Sequence, residues 1–211
     1  MKRYGNKELI SRIVLMRQIF FKELIRYHVS GQLKVAPEHC SAIVLEKMGK
    51  PYIEDYVRFS RRYFELSKSA GKEQYLVPYL MSSHPGSSLN EAVELASFLK
   101  KRGIRPEQVQ DFYPTPGTIS TCMFYTGLDP YTMKEVYVAK TPKEKAMQRA
   151  LLQYYNPANK DIILEALRKC GRYDLIGSGD KCLITAPDSR KNNYIKIYIG
   201  GDKSERNENW H

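Results

Sequence analysis

Between Gly31 and Pro114 short apolar runs alternate with amphipathic ones, and that alternation restricts the fold more than any other feature of the chain. "QLKVA" reads as a strand, and residues 41–48 as a helix with Ile43, Val44 and Met48 on one side, stopped by Gly49-Lys50-Pro51. Residues 53–69 read as a second helix, rich in Tyr and Arg, and the turn after it offers Gly71 as a left-handed cap. "YLVPYLMSS" is the next strand, and its mostly apolar character predicts burial on both faces. In "HPGSS" Ser88 is placed to cap the helix over residues 90–102, where Ala92, Val93, Leu95, Ala96 and Leu99 form one stripe and Gly103 the end. "EQVQDFYP" is a third strand and "TPGTISTC" the loop after it. This order predicts an α/β fold with a parallel sheet and right-handed crossovers.

The flanks are helical. Residues 8–29 carry Leu9, Ile13, Leu24 and Tyr27 at near-helical spacing, and Ser30-Gly31 ends the run. Residues 143–155 form a helix with Ala146, Ala150 and Leu151 inward; "NPANKD" breaks it. Residues 161–170 form another, with Asp161 at its positive end. Beyond Pro187, "YIKIYI" reads as an edge strand in an otherwise polar stretch.

In parallel α/β sheets ligands bind beyond the carboxyl ends of the strands. Three loops lie at that end here: "PEHCS", "SSHPGSS" and "TPGTIST". Glu38 and His39 have two readings of equal weight. A carboxylate and an imidazole there suit a small polar ligand or a proton transfer; alternatively Glu38 caps the helix and His39 is polar surface. "SSHPGSS" precedes a helix N-terminus whose amides suit an anion, or it is an ordinary connecting loop. "DFYPTPGTISTCMFYTG" is on composition a rigid turn followed by a strand or helix, with a substrate or cofactor wall as the other reading. His28 and His211 read as surface residues.

Composition narrows the partners. Forty-two per cent hydrophobic residues allow a real core in a chain of 211. The net charge of +11 makes RNA an alternative partner. The cations are spread along the chain rather than gathered into one arm, which favours a solvated basic surface and sets nucleic acid behind. Cys40, Cys122, Cys170 and Cys182 are far apart, with no CxxC spacing, and read as free thiols. No apolar run is long enough for a bilayer span, and Arg12, Arg17 and Lys22 interrupt the basic start, so the expected location is the cytoplasm.

Three segments in order carry a resemblance: "HVSGQLKVAPEHCSAIVLEKMGKP", "YLVPYLMSSHPGSSLNEAVELASFLKKRGIRPEQVQDFYPTPGTISTCMFYTGLDPYT" and "AMQRALLQYYNPANKDIILEALRKCGRYDLIGSG". Together they resemble the carboxyl-terminal part of YgiQ-type radical SAM proteins over residues 21–187, and more distantly the barrel half of methylthiotransferase-type radical SAM enzymes. The resemblance implies the carboxyl-terminal half of a partial (β/α) barrel with a helical extension. The divisions that follow are a divergent segment at 1–20, the half-barrel at 21–128, the extension at 129–187 and a polar tail at 188–211.

The implied cofactors are S-adenosylmethionine and a [4Fe-4S] cluster held by a CxxxCxxC loop, which together generate a 5′-deoxyadenosyl radical. No CxxxCxxC occurs in this sequence. The resemblance therefore implies cluster ligands outside this chain and inactivity of the chain alone. It also implies a partner, an amino-terminal half supplied by a separate or upstream frame, whose absence leaves the half-barrel prone to self-association. By resemblance, Lys34, Glu38 and His39 occupy the loop near the ribose and the methionine carboxylate. Ser82, Ser83, His84 and Pro85 lie near the adenine, and Pro114, Thr115, Pro116, Gly117 and Thr118 line the last strand-end loop.

Overall fold

The computed structural model describes residues 18–186. The chain enters as α1, Gln18–Glu23, which widens into a π-helical turn at Leu24–His28. The start of the expected first helix and "YIKIYI" lie outside the described residues. Then come β1 (Gln32–Glu38), α2 (Ala42–Met48), α3 (Ile53–Ser69), β2 (Tyr75–Ser82), α4 (Leu89–Lys101), β3 (Gln110–Asp111), α5 (Ile119–Thr126), α6 (Pro142–Leu152) and α7 (Lys160–Lys169). Short 3-10 turns at Pro157–Asn159 and Tyr173–Leu175 flank α7. The three strands form a small parallel sheet in the order β1-β2-β3, so the chain is α/β as its sequence predicts.

The helix ends follow local chemistry. Ser88 caps α4 in a reciprocal box with Glu91, and Thr141 caps α6 in the same way with Glu144. Gly71 takes the left-handed conformation after α3. The α4 stripe is buried throughout, and all four cysteines are free. His28 is exposed. Among the described residues no helix is long and apolar enough to cross a membrane.

The structure corrects several expectations. Ile43 points outward, 57% exposed, because α2 packs through Val44 and Leu45 instead. Ala146 is also exposed, since α6 is gripped between α4 and α7 and turns Met147, Gln148, Ala150, Leu151 and Leu152 inward. The expected loop "TPGTISTC" contains the first turn of α5, whose N-cap Thr118 accepts the Thr121 amide. The third strand shrinks from eight expected residues to the pair Gln110–Asp111. Its lead-in is drawn toward the end of α6: the Gln153 side chain donates to the Glu107 carbonyl at 3.0 Å, and the Tyr155 hydroxyl to that of Pro106 at 2.7 Å. The gap this leaves beside β2 is a cavity of about 480 Å³ lined by Tyr79, Leu80, Gln110 and Gln153 among others.

The sheet is covered unevenly. Leu33 and Leu76 pack on a cluster of Phe21, Ile25, Tyr63 and Leu66, while Leu80 joins the larger core built by α4, α6 and α7. On the opposite face Gln32, Lys34, Tyr75, Tyr79 and Gln110 are exposed. Burial of β2 on both faces is thus corrected: Tyr75 and Tyr79 keep 54% and 39% of their surface, because the helices pack on the Leu76–Leu80 side. β1 bulges near its end, where the register shifts between Val35 and Glu38. Pro37 lies inside the bulge, where its missing N–H costs no ladder bond.

Candidate functional site

The site is built from the carboxyl ends of β1 and β2, neighbouring parallel strands that terminate alike. Glu38 (φ 64°) and Ser83 (φ 61°) both take the left-handed conformation without being glycine. Such residues cost on the order of 1–3 kcal/mol each and persist where surroundings over-determine them. Each is followed by a buried histidine.

His39 is 1% exposed, and its Nδ1 accepts the Ser41 amide at 3.0 Å, so the neutral ring carries its proton on Nε2. Burial lowers its pKa to about 3, helped by repulsion from His84. His84 is 3% exposed. Its Nδ1–H donates to the Pro85 carbonyl at 2.8 Å, which leaves Nε2 to accept the Ser120 hydroxyl, also at 2.8 Å. Burial lowers its pKa to about 4, against the pull of the Pro85 carbonyl. Phe112 meets the ring edge-on at 5.0 Å. Ser120 and His84 have the spacing of a nucleophile and its base, but an imidazole this weak removes little proton density at neutral pH. What the pair does is tie the start of α5 to the β2–α4 loop.

Glu38 does not cap α2. Its Oε1 accepts from Lys50 Nζ at 3.2 Å, and the same ammonium donates to the Ala36 carbonyl at 2.8 Å, closing the bulge. His39 is interior, not polar surface. Lys34 lies inside β1 rather than in the loop after it; its Nζ sits 5.8 Å over the Tyr79 ring on the exposed face of the sheet.

The β2–α4 loop is buried from Ser82 to Ser87. Ser82 donates to Asp111, which also pairs with Arg149. The Gly86 amide donates to the Tyr137 carbonyl and the Ser87 amide to that of His84, both at 2.8 Å. The Ser88 amide goes to Glu91 Oε2 at 2.9 Å. An anion at the start of α4 therefore meets amides already engaged, with the Glu91 carboxylate where the anion would sit. That corrects the anion reading of "SSHPGSS". Ser83 differs: its hydroxyl is buried and without a hydrogen-bond partner. In the last loop Thr115, Pro116, Gly117 and Thr118 are exposed, Pro114 is half-buried, and the Thr115 carbonyl accepts the hydroxyls of Thr118 (3.0 Å) and Thr121 (2.7 Å).

The structure thus brings the β1 and β2 loops together with α5, and it adds residues that sequence reading passed over. Gln148, fully buried on α6, accepts from the Ser83 amide (3.0 Å) and the Ser87 hydroxyl (3.0 Å) and donates to the Ser87 carbonyl (2.7 Å). Lys47 on α2 reaches Asp129, 82 residues away, at 2.7 Å. A polar residue between Met147 and Leu151 on an apolar helix face was the available signal for Gln148; Asp129 carried none.

Gly86 sits beneath that ion pair. Its φ is +92°, and an added Cβ would meet the Lys47 Cγ at 3.2 Å. Gly86→Ala is expected to lower the urea-unfolding free energy by about 2 kcal/mol, from the conformational penalty and the crowding together. An unchanged midpoint would show that this turn relaxes freely.

The family model "Domain of unknown function (DUF3362)" matches residues 107–198. A UPF0313 protein of Clostridium perfringens is 58% identical over 192 residues, covering 90% of this chain and 29% of the relative. One from Clostridium botulinum is 59% identical over 165 residues, covering 78% of this chain and 26% of the relative. This chain therefore spans less than a third of the length of these relatives. Over most of its own length this chain is thus similar to one part of the UPF0313 proteins.

Proposed function

We propose that this chain is a segment of a radical S-adenosylmethionine enzyme, with the carboxyl ends of β1 and β2 and the loop after β3 forming one wall of the cofactor pocket. The observation that carries the reading is the juxtaposition of strand ends: two adjacent parallel strands finish in left-handed non-glycine residues, in the place where α/β sheets bind ligands. The exposed face bearing Lys34, Tyr79 and Gln110 fits the same reading, since in a half-barrel that face lines the interior. Four free thiols go with a reducing, cytoplasmic setting.

The residues fit one cofactor and not the other. The unpartnered Ser83 hydroxyl and the Glu38 carboxylate are groups that an adenosine or an amino-acid moiety can engage. An iron–sulfur cluster finds no such fit in these cysteines: burial pushes the Cys40 thiol up to about 12, and the sequence lacks the three-cysteine loop. In this reading the cluster ligands belong to the part of the relatives that this chain does not span. When bound, S-adenosylmethionine would supply radical chemistry only with an electron from the cluster, whose ligands lie outside this chain. What this chain would contribute is orientation: Lys50 holds the Glu38 carboxylate in place, and the neutral His39 and His84 tie the loops without adding charge.

Ligand-observed NMR with S-adenosylhomocysteine, the unreactive demethylated analogue, tests the pocket. Binding by this chain and its loss in Glu38→Ala are the expected results; no binding, or binding indifferent to Glu38, overturns the reading. Anaerobic reconstitution of this chain beside the Clostridium perfringens relative tests the division of labour. The relative is expected to take up about four irons, as a Cys-ligated cubane requires, and this chain fewer than about one. Steeply salt-dependent RNA retention with no analogue binding would favour the basic-module alternative.

A further inference from the structure

The strand-end loops are held in place from outside themselves, by residues far along the chain. Ser120 holds His84, Asp129 holds Lys47, the Tyr137 carbonyl holds the Gly86 amide, and Gln148 holds Ser83 and Ser87. All four lie within residues 107–198, the stretch matched by the family model. Of these, Gln148 does most. Its carboxamide is 0% exposed and uses both ends on one loop, accepting two hydrogen bonds and donating one.

We infer that Gln148 is a positioning residue that fixes the left-handed turn at Ser83 and so sets the direction in which the β2–α4 loop presents itself to a bound small molecule. The inference rests on the reading of the strand ends as a cofactor wall. A serine at φ 61° sits in a conformation that side-chain-bearing residues disfavour, so something must hold it. The Ser83 amide points at Gln148 Oε1, and that bond requires the turn. The same oxygen takes the Ser87 hydroxyl, and Nε2 donates to the Ser87 carbonyl, so Ser83 and Ser87 of the six-residue loop are pinned to one side chain. The same turn holds the Ser83 hydroxyl buried and without a partner. A leucine in place of Gln148 would satisfy the core between α4 and α6 but leave the loop without its fixed point. The segment from α5 to α6 is in this sense part of the site, a brace for loops that it follows in sequence.

The test uses the full chain as Gln148→Met, which keeps the volume and removes the polar atoms, with Leu151→Ala as control. Leu151 is fully buried on the same helix one turn away. Two readouts are taken: amide hydrogen exchange by mass spectrometry, and S-adenosylhomocysteine affinity by ligand-observed NMR. In Gln148→Met, exchange across residues 83–87 is expected to rise about tenfold or more while α4 and α6 stay within about twofold of the parent. Affinity for the analogue is expected to fall about tenfold. In Leu151→Ala, exchange rises across α4 and α6 together. A Gln148→Met pattern matching that of Leu151→Ala would make Gln148 an ordinary core residue and overturn the inference. So would faster loop exchange with unchanged affinity. Failure of the parent chain to bind the analogue would overturn the cofactor reading itself, and the exchange pattern alone would then decide whether Gln148 fixes the turn.

Discussion

Acidification from pH 7 to pH 4 is expected to remove on the order of 3 kcal/mol of stability through each of two histidines, His39 and His84. Both rings are buried, and burial disfavours the imidazolium, so their folded pKa values fall to about 3 and about 4. In the unfolded chain both titrate near the ordinary 6.5. Between those limits the unfolded state binds more protons than the folded one, and stability falls as pH falls. The stabilisation is complete above about 6.5 and is lost as the pH drops toward the folded values. Whole domains are stable by about 5–15 kcal/mol, so two such sites bring the chain close to unfolding near pH 4. Urea titrations at half-unit pH steps, followed by circular dichroism, measure this directly. His39→Gln together with His84→Gln should flatten the slope between pH 6.5 and pH 4, whatever it does to stability at pH 7. A parent curve already flat over that range would mean that the rings reach solvent.

Removal of the Asp129 carboxylate is expected to cost about 3 kcal/mol. Its side chain is 2% exposed and bonds Lys47 Nζ at 2.7 Å, while the other oxygen accepts the Tyr131 amide at 2.9 Å. The turn closes around the same residue, with the Met133 amide on its carbonyl at 2.7 Å. Asp129→Ala deletes the ion pair and the side-chain turn bond, and leaves a Lys47 side chain that is itself only 19% exposed. Asp129→Asn keeps the acceptor for Tyr131 and loses only the charge, so about half the cost should return. Urea unfolding of the two variants separates these contributions. Equal losses would place the whole effect in the ion pair. Because Lys47 lies on α2 and also crowds Gly86, Asp129→Ala should loosen the loops of β1 and β2 together, an outcome visible in hydrogen exchange.

Local signals carried much of the fold. α3 begins and ends where its sequence predicts, because a periodic run between Pro51 and Gly71 leaves few other boundaries. The α4 stripe and its Ser88 cap are equally legible, since both depend on residues within one or two turns of each other. The three strand-end loops could be placed from element order alone, because parallel strands joined by helices put all their carboxyl ends on one side.

Failures came where distant groups decide. The third strand reads as eight residues, yet Gln153 and Tyr155 take its lead-in carbonyls away from β2. Ile43 and Ala146 satisfy a helical stripe but face outward, because the side on which a neighbour packs is not written in spacing. The family resemblance puts Lys34 in the strand-end loop, yet it stands within β1 on an open sheet face, as the strand reading of "QLKVA" has it.

By itself, then, the sequence determined the α/β order, the helix caps and the end of the sheet at which chemistry is to be sought. Those follow from interactions between near neighbours along the chain. Tertiary structure alone decided that His39 and His84 are buried and neutral, that Asp129 and Gln148 reach back to the loops, and that Ser83 keeps an unpartnered hydroxyl. Each of those depends on groups tens of residues apart meeting in a water-poor interior, where a missing partner is costly and a single hydrogen bond fixes geometry.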